Sequence, residues 1–204
     1  MLHQMPIHEF MSALASDSPA PGGGSASALA GAMAAALVDM VCQLSLKRAE
    51  LEPRGPVFCR LSQQATALRE ELLALIDKDA TAFDAVMAAF KLPKGSDAEK
   101  AVRSAAIQKA YAGAIDIPLR TASCCVAVAG CAAELAESFN TNAASDLASA
   151  ASCARAGMQG GLSNVRINLP SIKDPLFKTH IDEEVARLET TMAQHVTRLN
   201  ELLA

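Results

Sequence analysis

Apolar residues recur every three or four positions along almost the whole chain, and no stretch alternates with the two-residue period of a strand. The spacing predicts a short amphipathic helix over residues 7–15, then a helix over residues 25–50 that is apolar on nearly every side. Glu52-Pro-Arg-Gly-Pro56 closes it, and a third helix spans residues 57–92 until Pro93-Lys94-Gly95. Ser96-Asp-Ala-Glu99 reads as a capping box, opening a helix that runs to Ser138 with a kink expected at Pro118. Asn140-Thr-Asn142 breaks the chain again, and a helix over residues 143–160 gives way to an irregular stretch containing Gly160-Gly161 and residues 164–170. From Asp174 a final helix carries apolar residues at Ile181, Val185, Leu188, Met192 and Val196. The expectation is an all-α fold, a single-domain antiparallel helical bundle over residues 1–204. A helix apolar on every side has more apolar surface than one chain covers, so a homodimer through the Ala-rich helix is expected.

Composition sharpens this. Of 204 residues 51% are apolar but only 3% aromatic, so the helices pack by close approach of small side chains. A net charge of −4 argues against nucleic acid as the main partner, since phosphate binding needs a basic surface. Residues 26–46 are long enough to span a bilayer, but Asp39, Gln43 and the high Ala content weaken that reading, and no membrane partner is expected. The six cysteines show no CxxC spacing and the N-terminus lacks signal-peptide character, which points to buried free thiols in a cytoplasmic protein. His3, His8, His180 and His195 sit near the two ends without a ligand-pair spacing, so no metal is expected.

The chemistry-bearing positions are those where polar residues break the pattern. On the helix over residues 57–92, Leu68, Leu72, Leu75, Phe83, Val86 and Phe90 fall within an arc of about 80°, and Asp79 lies at its centre. Asp77 falls on the opposite, solvent side. A carboxylate on the core stripe must be paired, hydrogen-bonded or facing a cavity, and its pKa then tends upward into the range of general acid–base work. A salt bridge to a neighbouring helix is the structural alternative. Asp39, Gln43 and Lys47 form an i, i+4, i+8 stripe, either an ion-paired seam or a cationic anchor at Lys47 for a carboxylate ligand. Asp146 sits in the opening turn of its helix, where complementing the helix dipole is the simpler role. Asn164 and Asn168 bracket an apolar pair and serve either loop backbone or the edge of a heterocycle.

Pro19-Ala-Pro21 leads into Gly22, Gly23, Gly24 and Ser25. Bare backbone ahead of a helix capped by Ser25 suits a carboxylate or phosphate, although a tight interhelix turn uses the same residues. Neither GxxxxGK[ST] nor GxGxxG is present, and no Ser/His/Asp triad can be assembled.

Taken in order, Pro21-Gly-Gly-Gly-Ser25 with its Ala-rich helix and Lys47, Ile76-Asp-Lys-Asp79-Ala80 with Ala82-Phe83, Leu92-Pro-Lys94, Ile117-Pro-Leu119, Ser145-Asp146 and Asn164-Val-Arg-Ile-Asn168-Leu resemble the cyclodeaminase/cyclohydrolase family of folate enzymes. The matches run through essentially the whole chain. One departure is Leu46-Lys47-Arg48 where the family's Gly-Lys-Lys stands. The resemblance implies an all-helical dimer acting on a one-carbon unit bridged between two folate nitrogens, with a tetrahydrofolate derivative as substrate and no further cofactor. It implies that Asp79 is catalytic, with Asp39 or Asp146 as helper. Lys47 and the backbone of residues 22–25 would hold the glutamate tail, and Asn164 and Asn168 would meet the pterin. Methenyltetrahydrofolate cyclohydrolase is the expected activity and formiminotetrahydrofolate cyclodeaminase its alternative. A non-catalytic interaction module, with Asp39 and Asp79 in interface salt bridges, is the reading from a different class.

Overall fold

The computed structural model describes residues 1–204 and contains six α-helices and no strand. They are α1 (Ile7–Leu14), α2 (Gly23–Leu46), α3 (Gly55–Phe90), α4 (Asp97–Leu135), α5 (Ala144–Asn168) and α6 (Pro175–Leu203). Each of α3 to α6 runs antiparallel to the helix before it: Ser25 meets Asp79, Glu71 meets Arg120, Pro118 meets Gly161 and Arg166 meets Glu189. The capping box at Ser96 and Glu99 forms as the sequence predicts, and Asp174 caps α6 through the N–H groups of Leu176 and Phe177.

The packing is set by small residues. Where α2, α4 and α5 cross, a methyl on Gly157 would lie 2.7 Å from Cys125 Sγ and 2.8 Å from the Ser27 carbonyl. Backbones this close leave no room for aromatic rings, which is why a chain so poor in them still buries a continuous core of Ala, Val, Leu and Cys.

Several expectations need correction. Gly22, not Ser25, occupies the N-cap of α2, and that helix ends at Leu46 rather than reaching Glu50. Residues 160–168 are helical, not irregular: α5 continues to Asn168. Gly160 and Gly161 are there for contact, since methyls on them would lie 2.1 Å from Ser27 Oγ and 2.8 Å from the Pro118 carbonyl. A Gly-Gly pair on a tightly packed helix face mimics a breaker in sequence. Helix α4 is continuous across Pro118. Asp77 is not on an open face: its carboxylate takes the N–H of Leu2 and pairs with His3, strapping the N-terminal segment to α3. Cys59 is exposed and Cys153 half-buried, so four of the six free thiols are buried, not all.

Helix α2 is not covered on every side either. Its buried arc packs on α3 and α5, while Ala26, Ala30, Met33, Leu37, Met40 and Leu44 line one half-exposed face, Met33 being 47% accessible. α2 and α4 are both long and apolar enough to cross a membrane, as core helices of this composition commonly are.

Candidate functional site

The N-terminus of α2, the C-terminal third of α3, the α4 segment around Tyr111 and the end of α5 converge at one end of the bundle. They enclose a cleft of about 330 Å³ that contains Gly22, Gly23, Gly24, Asp79, Asn164 and Asn168. Six of the sequence candidates thus come together, and Ser25 stands directly behind them.

Asp79 is the cleft's only ionisable side chain apart from Tyr111. Its carboxylate rests on the bare Cα of Gly24: a methyl there would lie 2.1 Å from Oδ1. Ser25, fully buried, donates its hydroxyl to Asp79 Oδ2 at 3.0 Å and lies 3.1 Å from the Ile76 carbonyl. The hydroxyl has one proton, so it serves the ionised carboxylate or the Ile76 carbonyl, and in the second case it can accept from a protonated Asp79. Burial pushes the Asp79 carboxyl above its ordinary value, while the Ser25 hydroxyl and N–H pull it back. A carboxyl so balanced exchanges a proton near neutrality more readily than a solvated one. The N-cap residue Gly22 has no side chain to cap α2, so the amide dipoles of its first turn face this end of the bundle, where the Ser25 N–H acts on Asp79.

The two asparagines are one turn apart on α5 and locked by their amide nitrogens. Asn164 Nδ2 donates to the Gly160 carbonyl at 2.9 Å. Asn168 Nδ2 donates to the carbonyls of Asn164 at 3.1 Å and of Ala114 at 3.2 Å. Ala114 is four residues before Pro118, which has no N–H to offer, so the proline frees the carbonyl that Asn168 takes. Both Oδ1 atoms remain without a protein partner, ready to accept from a donor in the cleft. Phe83, at 38% accessibility, and Phe90, at 43%, line this space instead of filling the core. Phe90 stacks edge-on against Tyr111, with ring centroids 6.2 Å apart. Tyr111 escapes a sequence reading because nothing in the α4 pattern distinguishes it.

The other candidates lie elsewhere. Asp39 is 15 residues along α2 from Gly24, about 22 Å at 1.5 Å per residue. There it accepts from Ser62 at 2.6 Å, Thr66 at 3.3 Å and Arg69 at 3.4 Å, an interhelix clamp on α3. Gln43 joins this cluster, but Lys47 does not, so the stripe is not an Asp–Lys pair. Lys47 caps the far end of α2, about 36 Å from Gly23, and cannot share a ligand with residues 22–25 of its own chain. Asp146 is in the first turn of α5, at the same far end as Lys47. A wider cleft of about 740 Å³ opens between α3, α4 and α6, but its Arg60 and Arg198 are paired with Glu134 and Glu137. No cluster of three or more His, Cys, Asp or Glu side chains has metal-binding proximity.

Against known proteins, the family model described as formiminotransferase-cyclodeaminase matches residues 6–187. A methenyltetrahydrofolate cyclohydrolase from Methylorubrum extorquens is 39% identical over 188 residues, which is 92% of this chain and 89% of that protein. The formimidoyltransferase-cyclodeaminase of Sus scrofa is 35% identical over 188 residues, but the match spans only 35% of its length. The crystal structure of a formiminotetrahydrofolate cyclodeaminase from Thermotoga maritima superposes with a TM-score of 0.90 at 31% identity, covering 100% of this chain and 98% of that one.

Proposed function

The chain belongs to the formiminotransferase-cyclodeaminase family, and we propose that it hydrolyses the one-carbon bridge of 5,10-methenyltetrahydrofolate to give formyltetrahydrofolate. The observation that carries this reading is the Asp79 carboxyl, raised by burial and held on Gly24 and Ser25 in a cleft with two free amide oxygens.

The methenyl carbon is a cationic, amidinium-like centre. An ionised Asp79 stabilises that charge and accepts a proton from water as the water oxygen bonds to the carbon. The resulting tetrahedral carbon holds a hydroxyl and two nitrogens. Asp79 returns its proton to the departing nitrogen as that C–N bond breaks, and the hydroxyl proton leaves as the formyl C=O forms. One carboxyl therefore serves as base and then as acid, and no second carboxylate is required. Asn164 and Asn168 accept from the N–H edge of the pterin through their Oδ1 atoms. With Asp39 and Asp146 outside the cleft, neither takes part within one chain.

Cyclodeamination is the second reading, favoured by the likeness to the Thermotoga maritima cyclodeaminase, which this chain matches over its full length. It uses the same carboxyl: Asp79 takes the proton of the second folate nitrogen as that nitrogen attacks the formimino carbon, and gives it to the amino group of the tetrahedral carbon, which leaves as ammonia. Purified protein offered methenyl- and formimino-tetrahydrofolate separates the two, through loss of the methenyl absorbance or release of ammonia.

The open face of α2 supports a homodimer in which a second copy covers Met33, Leu37 and Met40. Pairing α2 with its copy antiparallel about Leu37 sets Lys47 of the partner subunit within about a turn of residues 22–25, the one route by which this lysine reaches the cleft. The abundance of free thiols supports a reducing, cytoplasmic setting.

A further inference from the structure

Beyond the Phe90–Tyr111 pair, the Asp79 cleft continues into a second groove of about 350 Å³ that shares those two aromatic residues. Its walls carry Lys94, Lys100, Arg103 and Lys173, and no acidic residue lines it. Lys100 is engaged by Asp97 at 2.9 Å. Lys94 and Lys173 have no carboxylate partner, and Lys173 Nζ only donates to the Ser104 hydroxyl at 3.0 Å. Arg103 is fixed by donating to the Phe90 carbonyl at 3.2 Å and lies 5.5 Å from the centre of the Phe90 ring. On a chain of net negative charge, Lys94, Arg103 and Lys173, gathered without carboxylate partners, form an anion-binding strip.

We propose that this groove receives the carboxylate-bearing glutamate end of the substrate, with Lys94 and Lys173 as its ion-pair partners and Phe90 and Tyr111 flanking the benzoyl ring on the way. The assignment rests on the folate reading of the Asp79 cleft. It replaces Lys47 of the same chain as the tail anchor. The path has the right order: 11 residues of α3, about 16 Å of helix, separate Asp79 from Phe90, and Lys94 lies beyond. The one-carbon bridge at Asp79, the benzoyl ring joined to it on the Phe90 side and two carboxylates at the lysines follow that line. Arg103 braces Phe90 and adds charge. The groove selects for substrates by their anionic tail, so it acts on binding and leaves the one-carbon chemistry to Asp79.

The test compares 5,10-methenyltetrahydrofolate with 5,10-methenyltetrahydropteroate, which lacks the glutamate, in the wild-type protein and in a Lys94→Gln/Lys173→Gln double variant. Both lysines are exposed, and turnover of the pteroate by the variant reports that it is folded. The expected result is a wild-type KM about tenfold lower for the folate than for the pteroate, the two lost ion pairs together being worth roughly 1.4 kcal/mol. In the variant the folate KM rises to the pteroate value, while the pteroate KM and both kcat values stay within about twofold. Raising the salt should narrow the wild-type difference. Equal KM values in the wild type, or equal losses on both substrates in the variant, would overturn the tail assignment alone. No turnover by the wild type of either substrate or of formimino-tetrahydrofolate would overturn the folate reading and the assignment with it.

Discussion

Gly24 and Asp79 occupy space that admits no methyl group: a Cβ on Gly24 would sit 2.1 Å from Asp79 Oδ1 and 2.5 Å from Cγ. The third glycine of the Pro-Gly-Gly-Gly-Ser run is therefore the floor under the carboxylate. Gly24→Ala adds helix propensity worth about 1 kcal/mol, which offsets part of the strain, so the fold should survive while the carboxylate is displaced. The expected outcome is a Tm within a few degrees of wild type and a kcat at least about tenfold lower. Unchanged kcat would mean that the position of Asp79 is immaterial.

Ser25 holds the other side of the same carboxyl. Its hydroxyl favours the ionised form, so Ser25→Ala should raise the Asp79 carboxyl further. Asp79 acts first as a base, and activity disappears as pH falls through its pKa; a higher pKa makes that loss begin at higher pH. The acid limb of the kcat/KM profile should therefore move upward in Ser25→Ala. A limb that stays in place or moves down would contradict this.

Asp39 makes a contrasting prediction. It ties α2 to α3 through Ser62, Thr66 and Arg69, and its side chain is only 19% accessible. Asp39→Asn should lower stability by about 1 kcal/mol, seen in denaturant unfolding, and leave kcat within about twofold. A loss of turnover comparable to that of an Asp79 variant would place Asp39 in the chemistry.

The uncovered face of α2 sets the assembly test. A lysine at Met33 places a charge in the proposed seam between copies without entering the core. Met33→Lys should convert a dimer to a monomer in light scattering after size exclusion. If the wild type is itself a monomer at micromolar concentration, the seam does not exist.

The bundle and Asp79 were legible because both follow from periodicity: 3.6 residues per turn puts Asp79 among Leu72, Leu75 and Val86, all three buried. The Asn164–Asn168 pair was legible as residue types but not as geometry. Gly160-Gly161 looks like a chain break when read locally, and only Ser27 and Pro118 on other helices explain why glycine is needed. Pro118 itself reads as a kink, whereas its consequence is a free Ala114 carbonyl taken by a residue 54 positions from it. Lys47 was the right kind of residue at the wrong end of a long helix. The cations of the second groove come from the α3–α4 turn, α4 and the segment before α6, so no local window contains them. Local periodicity fixes what each helix buries; which ends of which helices meet depends on the packing.

Asp79→Asn is the most direct test of the central claim. Asparagine keeps the shape and can still accept from Ser25, but it cannot take a proton from water. With methenyltetrahydrofolate as substrate, the loss of methenyl absorbance should fall by at least about a hundredfold in kcat, with folate binding retained within a few-fold. Turnover at the wild-type rate in Asp79→Asn would contradict the assignment of Asp79 as the group that moves the proton.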